Sequence, residues 1–145
     1  MKILLQRVSE ASVTVENEII GAINAGIMAL VAIEEEDDQQ TIEKGITKLL
    51  KYRIFSDDAG KMNLSLLDIQ GELLLVSQFT LAAETNKGLR PSFSKAAKPE
   101  VSEALFQYAV DFAKTQLPIV ETGKFRADMK VALINDGPVT FLLEI

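Results

Sequence analysis

The sequence predicts an α/β domain of mixed α+β character, and three observations carry that prediction. Val-, Ile- and Thr-rich runs that alternate or stay apolar occupy both ends of the chain, as strands do. Two segments, beginning near residues 39 and 99, instead repeat apolar residues at the spacing of a helix face. Residues 82–98, AAETNKGLRPSFSKAAK, follow neither period and are rich in small and polar types. Many strands, two helices and one long basic loop are therefore expected.

Taken in order, Lys2–Val8 and Ala11–Ile20 alternate or run apolar and Glu16-Asn17 offers a turn, which reads as a β-hairpin. A third strand follows at Ile27–Ile33. EEEDD at 34–38 reads as a solvated loop that also lends negative charge to a helix N-terminus. Ile42, Ile46, Leu49 and Leu50 then predict a helix from 39 to 52. Asp57-Asp58-Ala59-Gly60 is a turn, Asn63–Ile69 a short strand or extended piece, and Gln70-Gly71 leads into ELLLVSQFTL, a central strand. Pro99 suits the first turn of the second helix, whose buried stripe is Val101, Leu105, Tyr108 and Phe112 and whose end lies near Leu117-Pro118. Met129–Ile134 and Val139–Ile145 are two β-rich runs around INDGPVT at 134–140. There Asp136-Gly137 signals a tight hairpin, yet Pro138 follows where the second strand must begin and has no N–H to give its ladder.

Composition narrows the chemistry. At 145 residues and 48% hydrophobic, the chain reads as one domain, 1–145, with a core of its own. The longest apolar run, Ile27–Ile33, is too short for a membrane span, and the start, MKILLQRVSEASV, lacks the apolar stretch and cleavage site of a secretory signal. A cytoplasmic protein with no membrane partner is expected. With no Cys and no His there is no disulfide, thiol nucleophile, Ser-His dyad or imidazole metal ligand. Catalysis must use hydroxyls, carboxylates, Lys, main-chain amides or the substrate's own groups, with no cofactor and no metal expected. A net charge of −6 argues against binding along a DNA duplex, but leaves room for a local contact with nucleic acid. Such a patch exists in the long loop, where Lys87, Arg90, Lys95 and Lys98 stand against Glu84 alone. A loop of this length in a compact domain is usually functional.

The candidate chemistry sits in VSQFTLAAE at 76–84. Ser77, Gln78 and Thr80 interrupt a strand otherwise apolar on both faces, and residues three apart in a strand do not share a face. They read either as a strand end with satisfied hydroxyls or as a site. In the second case main-chain amides serve as oxyanion donors and Thr80 Oγ1 as nucleophile or water-holder.

SQFTL at 77–81 and NDGPVT at 135–140 together resemble the two signature motifs of the D-aminoacyl-tRNA deacylases, the D-tyrosyl-tRNA(Tyr) deacylases. The resemblance extends through QRVSEASVTV at 6–15, RIFSDDAGKMNLSLLD at 53–68, KGLRPSFS at 87–94 and TGKFRADM at 122–129, so it spans essentially the whole chain. One position departs: Arg126 stands where the family usually has a small residue. The resemblance implies barrel-like sheets with two main helices, and a homodimer in which a cis Gly137-Pro138 pair enters the other subunit's pocket. Rigid main-chain oxygens there would exclude an L-side chain while tolerating D-residues and glycine. The implied reaction is hydrolysis of the ester that joins a D-aminoacyl group, or glycine, to the terminal ribose of tRNA. Ser77, Gln78, Phe79 and Thr80 are the implied catalytic segment. Gly137, Pro138, Met129 and Arg7 are implied in substrate binding and chiral selection, with Arg7 bracing the Gly-Pro loop and Phe79 and Met129 walling the pocket. Lys87, Arg90 and Lys95 are the implied tRNA contacts.

Two schemes remain open for the chemistry. Thr80 attacks and forms an acyl-enzyme, or a positioned water attacks while amides near Phe79 and Thr80 hold the oxyanion and the ribose 2′-OH assists. Two other functions also fit: a Ser/Lys-type esterase or amidase acting on small D-amino-acid derivatives, and a non-catalytic tRNA-binding module.

Overall fold

A computed structural model describes residues 1–86 and 88–145. In chain order the elements are β1 (Lys2–Val15), β2 (Glu18–Ile23), β3 (Gly26–Ala32), α1 (Gln39–Lys51), β4 (Phe55–Ser56), β5 (Met62–Leu64), β6 (Glu72–Ser77), a 3₁₀ helix (Phe79–Ala82), α2 (Pro99–Lys114), β7 (Val120–Thr122) and β8 (Lys130–Glu144). Six strands form one barrel-like, nearly closed sheet in the order β2-β1-β3-β6-β7, with β8 pairing along β1; β4 and β5 form a separate ribbon. The mixed α+β class with two helices is what the sequence predicts.

β1 organises the sheet because it is long enough to serve several partners. Its first half pairs with β3 and its second half with β2, both antiparallel, while β8 runs antiparallel along nearly its whole length. The Glu16-Asn17 turn is confirmed, with both residues at positive φ (51° and 66°), the twist-matched geometry of a tight hairpin. β3, β6 and β7 run parallel, joined by connections that contain α1 and α2. Gly26 permits the closest of these approaches, since a Cβ there would lie 1.9 Å from the Glu72 carbonyl oxygen.

β3 and β6 are buried on both faces, which is why β6 reads as a continuous apolar run. Leu73 and Leu75 face the helices together with Ile3, Leu5, Ile42, Ile46 and Leu49. Leu74 and Val76 face the barrel interior with Val8, Val13, Ile23 and Met28. Each of these four β6 side chains is at most 1% exposed, and burial of one such group stabilises by about 1.5–3 kcal/mol.

Several sequence expectations are corrected. The first arm of the hairpin is one continuous strand from Lys2 to Val15 across the gap between the two apolar runs, with Ser9 as an extra residue between its two registers against β8. The second helix ends at Lys114, earlier than Leu117-Pro118, and buries Ser102, Phe106, Ala109, Val110 and Ala113, while Val101 is exposed. Leu105, Tyr108 and Phe112 of the expected stripe pack against the core while partly buried, and Val101 alone of the four is exposed. The extended piece at Asn63–Ile69 is a strand only to Leu64, then a turn, and β7 was not foreseen. EEEDD is not simply solvated. Glu34 and Asp37 each accept from the Met1 ammonium at 2.8 Å, and Asp38 caps α1 by accepting from Thr41 N.

The largest correction concerns 134–140. There is no hairpin at Asp136-Gly137: β8 is one strand, and its two halves keep two registers against β1. Gln6 pairs with Thr140 and Val8 with Asn135, so residues 136–139 stand against Arg7 alone. They form an extended bulge in which the Gly137-Pro138 bond is cis and Gly137 has φ +144°. Inside a bulge Pro138 owes the ladder no donor, so the two local rules no longer conflict.

Candidate active site

The sheet opens where β6 ends. Ser77 pairs with Val31 of β3, and the Gln78 amide extends that pairing by donating to the Val31 carbonyl at 2.8 Å. The chain then leaves the sheet and coils into the 3₁₀ helix, so SQFTL is not the continuous strand the sequence suggests. The turn is held by Leu81 N donating to Gln78 O (3.2 Å) and Ala83 N to Thr80 O (3.1 Å). Gln78 Nε2 lies 2.6 Å from Thr80 Oγ1. An amide is no base in either orientation, so this contact orients the Thr80 hydroxyl without preparing it to lose a proton.

A cavity of about 430 Å³ lies against this strand end. Ser77, Gln78 and Phe79 form one wall, Ser102 and Phe106 of α2 another, and Phe125, Arg126 and Met129 of the β7–β8 connection a third. Met129 thus lines the same cavity as Ser77, Gln78 and Phe79. Phe79 is 57% exposed, and its ring meets Phe93 at a centroid distance of 5.1 Å and a tilt of 56°. That pair joins the cavity rim to the long loop, an arrangement suited to stacking on a base. Asp38, Asp68 and Tyr108, whose titration is shifted, do not line this cavity.

Gly137 and Pro138 do not line it either. Both are exposed, and the bulge that carries them is tied down from two sides. Arg7 Nε donates to Asp136 O at 2.9 Å and Arg7 Nη1 to Ile54 O at 2.7 Å, while the Asp136 carboxylate lies 3.6 Å from Nε. Asn135 Nδ2 donates to both Arg7 O (3.1 Å) and Val139 O (2.9 Å), closing the bulge across its base. Asn135 is the residue the sequence reading overlooked. Its signal lies within the quoted NDGPVT, since asparagine side chains routinely bond nearby main chain.

The long loop folds back on itself through two bonds between Glu84 and Ser92 (2.8 and 3.2 Å). Arg90 and Lys95 are exposed. Lys95 lines a separate cleft with Glu34–Asp37, away from the SQF cavity, and Lys87 lies outside the described residues.

Comparison with known proteins agrees with this layout. The profile described as D-Tyr-tRNA(Tyr) deacylase matches residues 4–144. A D-aminoacyl-tRNA deacylase of Ectopseudomonas mendocina (strain ymp) is 60% identical over the full length of both chains, and one of Teredinibacter turnerae (strain ATCC 39867 / T7901) is 60% identical over 99% of each. Among solved structures, one titled c-Myc DNA Unwinding Element Binding Protein superimposes with a TM-score of 0.96 at 41% identity, covering 100% of this chain and 99% of that one. A second, titled as a probable eukaryotic D-amino acid tRNA deacylase, gives 0.87 at 18% identity, covering 99% and 98%, and bears on the fold alone. Fold, strand-end cavity and relatives define a hydrolase. The chain belongs to the D-aminoacyl-tRNA deacylase family, and a tRNA substrate follows from that membership.

Proposed function

We propose that the protein hydrolyses D-aminoacyl-tRNA and glycyl-tRNA in the cytoplasm as a homodimer, with Gly137 and Pro138 of one subunit entering the SQF cavity of the other. The observation that carries this reading is the separation of two complementary parts. Gly137 and Pro138 do not line the cavity at the end of β6, while the bulge that carries them is exposed and tied down by Arg7 and Asn135. Exposed Ile134, Phe141 and Leu142 flank the bulge, an apolar surface suited to a second copy.

Chiral selection works by exclusion. The bulge offers main-chain oxygens, and Arg7 and Asn135 hold their backbone in place. A hydrogen on the substrate α-carbon fits against that backbone and a side chain does not, so L-residues are rejected while glycine and many D-residues pass. For the chemical step, water adds to the ester carbonyl and the bond to the ribose oxygen breaks. The ribose oxygen recovers a proton and the carboxylate departs. Among the described residues, neither Phe79 N nor Thr80 N donates to a carbonyl outside its own element. These two amides are therefore free for the oxyanion, a contribution of about 3–4 kcal/mol. Thr80 has an amide for a neighbour rather than a base, which supports the water scheme assisted by the ribose 2′-OH.

The test is incubation with matched D-tyrosyl-, L-tyrosyl- and glycyl-tRNA, following release of free amino acid. Release from the D- and glycyl-substrates alone is expected. Equal cleavage of the L-ester defeats the exclusion reading. Cleavage of small D-esters at the same efficiency without RNA supports the esterase alternative, and tRNA binding without cleavage supports the non-catalytic one.

A further inference from the structure

Arg126 occupies a conformation that works against it. It is the third residue of a turn closed by Ala127 N donating to Lys124 O at 3.2 Å, and its φ is +61°. Turns with positive φ at that position favour glycine or asparagine, and a long unbranched cation there costs conformational energy. No interaction within the protein offsets the cost. Among the described residues, the guanidinium makes no hydrogen bond or ion pair, although Asp128 is two residues away. Asp128 instead takes Lys130 Nζ at 2.9 and 2.7 Å.

The position explains what the conformation does not. Arg126 stands on the ridge between the SQF cavity and a neighbouring cleft lined by Lys124, Phe125 and Glu16. Phe125, Arg126, Ala127 and Asp128 line both depressions, so a chain whose acylated end lies in the cavity and that continues into the neighbouring cleft passes Arg126. A cation here has nothing to offer the substrate's α-ammonium, which it repels. It suits the part of the substrate that carries negative charge, the phosphodiester just before the terminal nucleoside. A guanidinium presents parallel N–H donors in the geometry of two phosphate oxygens. Lys124 lines the same cleft, whose two exposed carboxylates are Glu16 and Asp128, the second already paired with Lys130.

We propose that Arg126 is a binding residue for the phosphodiester at the 3′ end of the tRNA, so that this chain reads the phosphate nearest the ester in addition to the ester itself. The proposal rests on the deacylase reading above and adds a contact that reading does not need.

The experiment compares wild type with R126G, R126A and R126K. Glycine fits φ +61°, so R126G should melt at or above the wild-type temperature and fold is not in question. With D-tyrosyl-tRNA, R126G and R126A should raise KM about tenfold at low salt with kcat nearly unchanged. The slope of log(kcat/KM) against log[salt] should become shallower by about 0.7, the contribution of one phosphate contact on a single strand. R126K should restore the slope and part of the KM. On 3′-O-(D-tyrosyl)adenosine, which has no phosphate, R126G should lose far less, within about twofold of wild type. Equal losses on the two substrates, or an unchanged salt slope, overturn the proposal. The salt slope of binding to a deacylated hairpin RNA ending in CCA separates the two readings. If wild type binds with the steeper slope but cleaves nothing, the deacylase reading falls and the phosphate contact stands.

Discussion

At the end of β6 the chain meets Ser77-Gln78 and leaves its sheet, whereas β8 meets Gly137-Pro138 and stays in its sheet. The two segments lie in one six-stranded sheet and carry similar sequence signals, a polar or breaking cluster in an apolar run. Their outcomes differ because their neighbours differ. β6 has only Val31 to follow beyond Ser77, so the chain coils into a 3₁₀ turn and leaves a concavity beside it. β8 has fourteen residues of β1 beside it, so pairing resumes after the break and the surplus residues are pushed outward. One interruption leaves a cavity and the other an exposed bulge, the receptacle and the insert of the proposed dimer. The bulge needs bracing that the receptacle does not, and Arg7 and Asn135 supply it.

The sharpest way to break this comparison is at Gly137. Its φ of +144° disfavours any side chain, and an added Cβ would lie 2.7 and 2.8 Å from Val139 Cγ2 and N. Gly137→Ala should reshape the bulge and lower kcat/KM for D-tyrosyl-tRNA by at least about 100-fold, as misplacement of a positioning element does. The SQF cavity should be unaffected. A cross-subunit insert predicts more: subunits carrying Gly137→Ala, mixed with subunits whose cavity is blocked by Ser77→Trp, should regain activity. Each mixed dimer then has one intact site. No recovery on mixing places insert and receptacle in the same subunit.

Arg7 comes next. Arg7→Ala removes donors at 2.9 and 2.7 Å from two carbonyls, each a charge-assisted bond contributing about 1.5–3 kcal/mol. The bulge should loosen without refolding, and activity on the D-ester should fall about 10- to 100-fold while the rate on the L-ester rises. Lys should not rescue it, because one ammonium does not span Asp136 O and Ile54 O as a planar fork does. A loss of rate with D/L discrimination intact makes Arg7 a general stabiliser rather than a brace for the filter. On the receptacle side the effect should be smaller. Thr80→Ala should keep its rate within about tenfold, the range left when oxyanion donors remain and only an orienting hydroxyl is lost. A loss of several decades in single-turnover measurements would return Thr80 to the role of nucleophile.

How much of this was legible in the sequence follows the same division between local and non-local causes. α1 was readable because Ile42, Ile46, Leu49 and Leu50 are large and all buried, so the pattern and the face coincide. α2 was placed and Leu105, Tyr108 and Phe112 of its expected stripe do pack against the core, but the deepest contacts come from Ser102, Phe106, Ala109, Val110 and Ala113, and Val101 is exposed. β7 is three residues between Pro118 and Gly123, too short for any period to register. The β8 bulge was invisible because a hairpin rule looks a few residues either way, while the deciding partner, β1, lies more than a hundred residues earlier. SQF and Met129 were found as site residues and share a cavity. Lys95, expected with Lys87 and Arg90 as a tRNA contact, lines a cleft with Glu34–Asp37, a neighbourhood that a count of loop charges does not reveal.

The smallest expected effect tests whether receptacle and insert are independent of the scaffold's own electrostatics. Asp38 has its pKa held below 3.8 by Thr41, whose main-chain N–H donates at 2.8 Å and whose hydroxyl donates at 2.9 Å. Asp68 is held below 3.8 by the Ser65 hydroxyl first and the Ser65 amide second. A carboxylate with a depressed folded pKa stabilises above its unfolded value, and that stability is lost as pH falls through the folded one. The part of the stability that these two carboxylates supply should therefore be present above the ordinary aspartate range and be lost as pH falls below it, and Asp38→Asn should remove part of that pH dependence of the melting temperature. Neither carboxylate touches the cavity or the bulge, so D/L selectivity measured on the surviving folded protein should not change across the window. A selectivity that drifts together with the melting temperature would show that α1 and the Ser65–Asp68 turn hold the bulge in place, which neither Arg7 nor Asn135 requires.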